Sequence, residues 1–91
     1  SGREVFDKRF QVLNALDIRP GMRIADVGAG TGLYTMLFAR AVGSAGKVYA
    51  VDISRPFVEN IMRESQQQGL SNIEGVVNSA KDVMLPAKAV P

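Results

Sequence analysis

The chain has 91 residues and contains no cysteine, histidine or tryptophan. This length fits one domain or part of one. Without cysteine there is no disulfide or thiolate chemistry, and without histidine the commonest general base and metal ligand are missing. The 11 basic and 9 acidic side chains are scattered, so no charged run indicates a nucleic-acid or membrane surface.

The sequence also bears on location. No apolar stretch reaches the roughly 18–20 residues that a membrane-spanning helix needs, and the N-terminus lacks a signal-peptide pattern. We therefore expect a cytoplasmic protein without a membrane segment. Residues 1–2, Ser-Gly, are expected to be a cloning remnant.

The first part of the chain predicts a leading helix and a turn. A helix is expected over residues 3–16, and proline and glycine at 20–21 end this region, since they are the strongest local breakers. The apolar face of this helix would consist of side chains at helical spacing: Phe6, Phe10, Leu13 and Leu16.

Two strands with a helix between them are expected next. Residues 22–27 predict a short buried strand, and a glycine-rich turn follows at 28–32. A helix then runs towards Gly43, and residues 47–52 predict a second strand. Four apolar side chains mark the face of that helix: Leu33, Leu37, Phe38 and Ala41.

A further helix and strand complete the pattern. Ser54 is a suitable N-cap for a helix with an early proline, and Gly69 suits the position just past its end. Phe57 and Ile61 are expected on the buried face of this helix, and residues 73–77 predict a third strand. Alternating helices and strands predict an α/β fold with parallel strands and right-handed crossovers. The chain is expected to form one domain over 1–91, with a leading segment at 3–21 and a βαβαβ unit at 22–85.

The turn after the first strand has the composition of a ligand-binding loop. Asp26 precedes glycines at alternate positions, 28, 30 and 32, in the run Asp-Val-Gly-Ala-Gly-Thr-Gly. Glycine lets the backbone approach a ligand closely, and the free amides of the following helix favour an anionic or polar group there. A strand–helix turn without any ligand remains the alternative. Asp26 is expected either to have a purely structural role, in which it holds loop amides, or to interact indirectly with an ammonium group of the ligand.

Spacing distinguishes two classes of cofactor. The dinucleotide fingerprint G-x-G-x-x-G fails because its sixth position is Leu33. Asp52 ends the second strand and is expected at the same carboxyl edge of the sheet as the glycine turn. A carboxylate there can accept hydrogen bonds from both hydroxyls of a ribose and would repel a 2′-phosphate.

Residues 23–35 and 48–54, with the turn at 20–21, resemble the first two motifs of class I S-adenosylmethionine-dependent methyltransferases. The resemblance implies a three-layer Rossmann-like fold that binds S-adenosylmethionine or S-adenosylhomocysteine, with Asp52 on the ribose and Ile53 on adenine. The family's third motif has an acidic residue followed by alanine, and Ser79 and Ala80 occupy those positions here. Asp82 is expected to cap a helix or a turn. The expected cofactor-binding set is Asp26, Gly28, Ala29, Gly30, Thr31, Gly32, Asp52, Ile53, Ser79 and Ala80, with no catalytic and no metal-binding residue.

The resemblance covers only the first half of that family's fold. We therefore expect a cofactor-binding fragment of a methyltransferase that lacks an acceptor site and is inactive alone. In the family's strand order, 3-2-1-4-5, the strand at 22–27 would have an open edge, which predicts a symmetric homodimer. A rearranged tail that pairs with this strand is the competing possibility. A nucleotide- or NAD-binding module and an engineered α/β assembly fragment without ligand are the alternatives.

Overall fold

The computed structural model describes residues 16–78. Within this range the chain alternates between strands and helices, as the sequence predicts. The elements are β1 (Arg23–Val27), α1 (Leu33–Val42), β2 (Lys47–Asp52), α2 (Arg55–Gln67) and β3 (Ile73–Val77). The predicted helix at 3–16 lies outside the described residues except for Leu16, and so do Ser79, Ala80 and Asp82.

The three strands form a parallel sheet in the order β1-β2-β3. Ile24 pairs with Val48, and Val48 pairs with Ile73, so the strands start almost level with one another. Consecutive parallel strands need crossover connections, which α1 and α2 supply. The carboxyl ends of all three strands therefore meet at one edge, which we call the carboxyl edge. The predicted α/β fold of the Rossmann type is confirmed.

The core lies between the two helices and one face of the sheet. Its cluster of buried side chains comprises Met36, Phe38, Ala39, Val42, Val48, Ala50, Ile61 and Ile73. Gly75, inside β3, shows how closely α2 approaches, because a Cβ at this position would lie 2.6 Å from Val58 Cγ1. Glycine in a strand interior costs stability, and here the close packing of the helix accounts for it.

The buried faces of the helices differ in part from the prediction. Leu33, one of the apolar residues that mark the face of α1, is 46% exposed, and Phe57, expected on the buried face of α2, is 50% exposed. Both residues stand in the first turn of their helices, which begins at the carboxyl edge. The buried positions of α1 are Thr35, Met36, Phe38, Ala39 and Val42, and those of α2 are Val58, Ile61 and Ser65. The first turns thus present apolar side chains at the carboxyl edge.

The predicted caps of α2 are confirmed. Ser54 precedes the helix, and its hydroxyl oxygen accepts a 3.3 Å hydrogen bond from the Phe57 amide. Gly69 follows the helix with a φ of +71°, the left-handed conformation that favours glycine. Ser54 thus marks the start of α2, which begins at Arg55, and Gly69 lies just past its end.

Candidate functional site

The glycine turn, residues 28–32, connects β1 to α1 at the carboxyl edge. Gly28, Gly30 and Gly32 have φ values of 73°, 59° and 84°, in the left-handed region. Gly32 also lies against α2, since a Cβ at this position would stand 2.7 Å from Ile61 Cγ1. Backbone conformation and contact with α2 therefore both require glycine at position 32.

Backbone hydrogen bonds hold the start of the turn to β2. The amides of Gly28 and Ala29 donate to the Val51 carbonyl at 2.7 and 3.0 Å. The Gly32 amide donates to the Ala29 carbonyl at 2.9 Å, which closes the turn before α1 begins. These amides are occupied by the chain itself, so they are not the donors that a ligand would meet.

The first turn of α1 offers further donors. Gly32 is its N-cap, no side chain caps it, and no acidic residue stands in its first turn. Among residues 16–78, the amides of Leu33 and Tyr34 find no acceptor. Unpaired amides and the positive end of the helix dipole favour a carboxylate or another electron-rich group at this position.

Asp52 lies next to the glycine turn, as the sequence predicts. Its Oδ2 accepts a hydrogen bond from the Gly30 amide at 2.9 Å, and its Oδ1 accepts one from the Ser54 amide, also at 2.9 Å. These hydrogen bonds, Ser54 first and then Gly30, hold the pKa of the Asp52 carboxyl below its ordinary value of 3.8. Asp52 is therefore ionised at neutral pH and can act only as an acceptor.

Asp26, the residue before the last of β1, accepts a hydrogen bond from a side chain that the sequence does not point to. The hydroxyl of Thr35 donates a 2.7 Å hydrogen bond to Asp26 Oδ2. Thr35 is fully buried in the first turn of α1, so this bond ties α1 to β1 behind the glycine turn. Polar residues in helices usually face solvent, and nothing in the spacing distinguishes Thr35 from such a residue.

Exposed apolar side chains flank the two acidic residues. Ile53 is 71% exposed, and Val27, the last residue of β1, is 66% exposed. Phe57 and Tyr34 belong to the same edge and are exposed to 50% and 41%. The Tyr34 ring also lies against Phe38, with 6.1 Å between ring centroids. The carboxyl edge thus combines carboxylates, free amides and apolar surface, the mixture expected of a site for an amphipathic small molecule.

The structure brings most of the predicted site residues together. The glycine turn, Asp26, Asp52 and Ile53 all lie at the carboxyl edge. The predicted contacts at Ser79 and Ala80 lie outside the described residues, which end at Asn78. Asn78 directly follows β3, and its amide donates to the Asp52 carbonyl at 2.9 Å. Among residues 16–78, no group of three or more His, Cys, Asp or Glu side chains is placed to hold a metal ion.

Comparison with known proteins agrees with this geometry. Residues 24–90 match the family described as a methyltransferase domain. The chain belongs to this family. The resemblance to class I methyltransferases, stated on the glycine turn and Asp52, is confirmed. No helix within residues 16–78 is long and apolar enough to cross a membrane.

Individual methyltransferases show how far the similarity extends. The chain is 32% identical over 77 residues to nocamycin O-methyltransferase of Saccharothrix syringae, a match that covers 85% of this chain and 28% of that protein. Among curated relatives the chain spans between 28% and 33% of their length. The chain therefore corresponds to no more than about a third of the length of these relatives.

Two solved structures share the fold closely. A SAM-dependent O-methyltransferase from Thermotoga maritima is 31% identical, with a TM-score of 0.75, over 80% of this chain and 28% of that one. A coclaurine N-methyltransferase bound to N-methylheliamine and SAH is 26% identical, also with a TM-score of 0.75, over 81% of this chain and 22% of that one. The βαβαβ arrangement therefore recurs in methyltransferases that act on different acceptors.

Proposed function

We propose that the chain is the cofactor-binding part of a methyltransferase and binds S-adenosylmethionine or S-adenosylhomocysteine at the carboxyl edge. The observation that carries the proposal is the position of Asp52, an ionised acceptor 2.9 Å from the Gly30 amide of the glycine turn. Membership of the methyltransferase domain family supports it, and so does the similarity to a SAM-dependent O-methyltransferase and to a coclaurine N-methyltransferase bound to SAH.

Asp52 would hold the ribose. An ionised carboxylate has about four acceptor positions, and the amides of Gly30 and Ser54 use two of them. The two that remain match the two hydroxyls of a ribose. The negative charge would also disfavour a 2′-phosphate at the same place.

The glycine turn and α1 would hold the methionine part. The free amides of Leu33 and Tyr34 suit its carboxylate, and Asp26, held by Thr35, supplies negative charge for its ammonium group, directly or through water. Thr31, in the glycine turn, is exposed and could contact the ligand. Gly28 and Ala29 would contribute through the shape of the turn, because their amides are already bonded to Val51.

Ile53 would pack against the adenine. It follows Asp52 directly and is 71% exposed, so its side chain is free to contact a flat apolar ring. Ser79 and Ala80, which follow the last described residue, are proposed to stand near the adenine edge. We thus propose that the whole expected set of cofactor-binding residues contributes to the binding of the ligand.

We propose methyl transfer as the activity of the methyltransferase whose cofactor-binding part this chain is. S-adenosylmethionine supplies an electrophilic methyl group on a sulfonium that carries its own leaving group, so the protein contributes mainly orientation. The chain spans 28% of the length of nocamycin O-methyltransferase. We propose no methyl acceptor and no catalytic residue within the chain.

Isothermal titration with S-adenosylmethionine, S-adenosylhomocysteine and NAD tests the binding proposal. We expect both adenosyl ligands to bind and NAD to fail. Asp52→Ala should weaken binding about tenfold or more, because it removes hydrogen bonds to a charged acceptor. Glu74→Gln is the matched control, since it removes one negative charge near the amino end of β3.

The titration separates the alternatives. Binding of NAD in place of the adenosyl ligands would favour a dinucleotide module. No binding of any of the three would favour an assembly module without ligand. Unchanged adenosyl binding in Asp52→Ala would show that the ribose assignment is wrong.

We also propose that the 91-residue chain forms a homodimer through β1. Among residues 16–78 β1 pairs only with β2, and no strand in that range pairs with its other edge. Such an edge favours pairing with another strand, and two copies can pair symmetrically. Light scattering after size exclusion should give a dimer mass, and a stable monomer at high concentration would contradict this.

The cytoplasmic location stays a prediction.

A further inference from the structure

The carboxylate of Asp52 joins two segments that are far apart in sequence. Its Oδ2 accepts from Gly30, which is 22 residues away in the glycine turn, and its Oδ1 accepts from Ser54, at the start of α2. We call these two hydrogen bonds the Asp52 bridge. Through it, one side chain connects the β1–α1 turn with the β2–α2 turn.

Gly30 depends on this bridge more than its neighbours do. Gly28 and Ala29 donate to the Val51 carbonyl, and Gly32 donates to Ala29, so backbone groups satisfy all three amides. The Gly30 amide instead donates to a side chain. Gly30 also has a φ of 59°, and a Cβ at this position would lie no closer than 3.9 Å to another atom, so packing does not fix it.

We propose that Asp52 is a positioning residue for the glycine turn, in addition to being the acceptor for the ribose. The Asp52 bridge holds the middle of the turn in the shape that receives the methionine part of the ligand. The ligand side of this inference rests on the proposed function. Its consequence is that Asp52 affects parts of the ligand that it does not touch.

A ligand without ribose hydroxyls separates the two roles. S-adenosylhomocysteine and its 2′,3′-dideoxy analogue are titrated into the wild-type chain, Asp52→Asn and the charge control Glu74→Gln. Asparagine keeps the size of the side chain, but its NH₂ group would face a backbone N–H of either Gly30 or Ser54, and two donors repel. The Asp52 bridge is therefore broken without creating a cavity.

Asp52→Asn should weaken both ligands. We expect a loss of about tenfold or more for S-adenosylhomocysteine and still about threefold or more for the dideoxy analogue. Glu74→Gln should leave both affinities within about twofold, since its charge lies near the opposite edge of the sheet. If Asp52→Asn and Asp52→Ala, which removes both acceptor oxygens, bound the dideoxy analogue as tightly as wild type, Asp52 would act on the ribose alone and the inference would be wrong.

Amide hydrogen exchange tests the bridge in the ligand-free chain. In wild type the Gly30 amide should be protected, and in Asp52→Ala, which removes both acceptor oxygens, it should exchange about tenfold faster or more. The Gly28 amide is the internal control, because its acceptor is the Val51 carbonyl in both proteins. A Gly30 amide that is unprotected in wild type would overturn the inference, even if the variant failed to fold.

The two measurements distinguish this inference from the proposed function. If wild type bound neither ligand while Gly30 was protected through Asp52, the proposed function would be wrong and the bridge would stand. If wild type bound both ligands while Gly30 was unprotected, the proposed function would stand and the bridge would be wrong.

Discussion

The hydroxyl of Thr35 donates a 2.7 Å hydrogen bond to Asp26 Oδ2 from a fully buried position in α1. This bond connects the helix that begins the site with the strand that leads into it. Asp26 is only half-buried, so its second oxygen can still meet a ligand or water. Thr35 thus holds Asp26 in one orientation beside the glycine turn.

Replacing Thr35 tests this connection. Thr35→Val keeps the shape but removes the donor, and we expect a loss of about 1–3 kcal/mol in the free energy of unfolding. Thr35→Val should also weaken the binding of S-adenosylhomocysteine. Thr35→Ser keeps the donor and should retain most of the affinity for this ligand. Urea denaturation and isothermal titration measure the two effects. Equal affinity in the valine and serine variants would show that the hydroxyl does not position Asp26.

Gly32→Ala should destabilise the chain for two reasons. The added Cβ would stand 2.7 Å from Ile61 Cγ1, and φ is 84°. Gly69→Ala is the matched control, because its φ is 71° and nothing lies within 4 Å of the added Cβ. We expect about 1 kcal/mol for the control and about 1–3 kcal/mol more for Gly32→Ala. Equal thermal stability of the two variants would contradict the contact with α2.

Asn72 anchors the end of α1 that is remote from the site. Its Nδ2 donates to the carbonyls of Ala39 and Gly43, each at 2.8 Å. Asn72→Asp places a carboxylate against two carbonyl oxygens, so we expect a loss of about 2 kcal/mol or more in unfolding free energy. Asn60→Asp, on the exposed side of α2, should stay within about 0.5 kcal/mol of wild type. A similar small change in both variants, measured by urea denaturation, would refute the anchoring role.

Acid should remove the stabilisation that Asp52 provides. Because hydrogen bonds from Ser54 and Gly30 lower its pKa in the folded state, its contribution is complete above the ordinary value of 3.8 and is lost as pH falls through the lower folded value. The difference in unfolding free energy between wild type and Asp52→Asn should therefore shrink below pH 3.8. A difference that stays constant as pH falls would contradict the hydrogen-bonded, ionised carboxylate.

Ile53→Ser should lower the affinity for the ligand with little change in the stability of the fold. Ile53 is 71% exposed, so the substitution should change unfolding free energy by no more than about 0.5 kcal/mol. If Ile53 packs on adenine, affinity for S-adenosylhomocysteine should fall by about fivefold or more. Leu16→Ser is the control, since Leu16 is also exposed, at 57%, but precedes β1. Unchanged affinity in Ile53→Ser would exclude the adenine contact.

Much of the fold could be predicted because its signals are local. The sequence predicts β2 at 47–52 and β3 at 73–77, and the structure has the same bounds. These bounds are predictable because helix- and strand-breaking residues stand on both sides of the apolar runs. The position of Asp52 beside the glycine turn follows from parallel topology. Ser54 was recognised as a cap because its role depends on neighbours three residues away.

The rest depends on contacts between distant residues. The bond from Thr35 to Asp26 and the contact of Gly32 with Ile61 join different elements, and no spacing in the sequence reveals them. The exposure of Leu33 and Phe57 was missed because periodicity identifies an apolar stripe but not where the helix leaves the sheet. These positions depend on how the helices dock, which one sequence does not show.

The Val51 carbonyl receives both the Gly28 and the Ala29 amides, so it uses both of its lone pairs on the glycine turn. No amino-acid substitution at Val51 can delete a carbonyl. This attachment therefore persists through any substitution at Val51, whereas the attachment through Asp52 disappears with one codon change. Evolution could thus alter ligand preference at position 52 while the start of the turn stays hydrogen-bonded to β2.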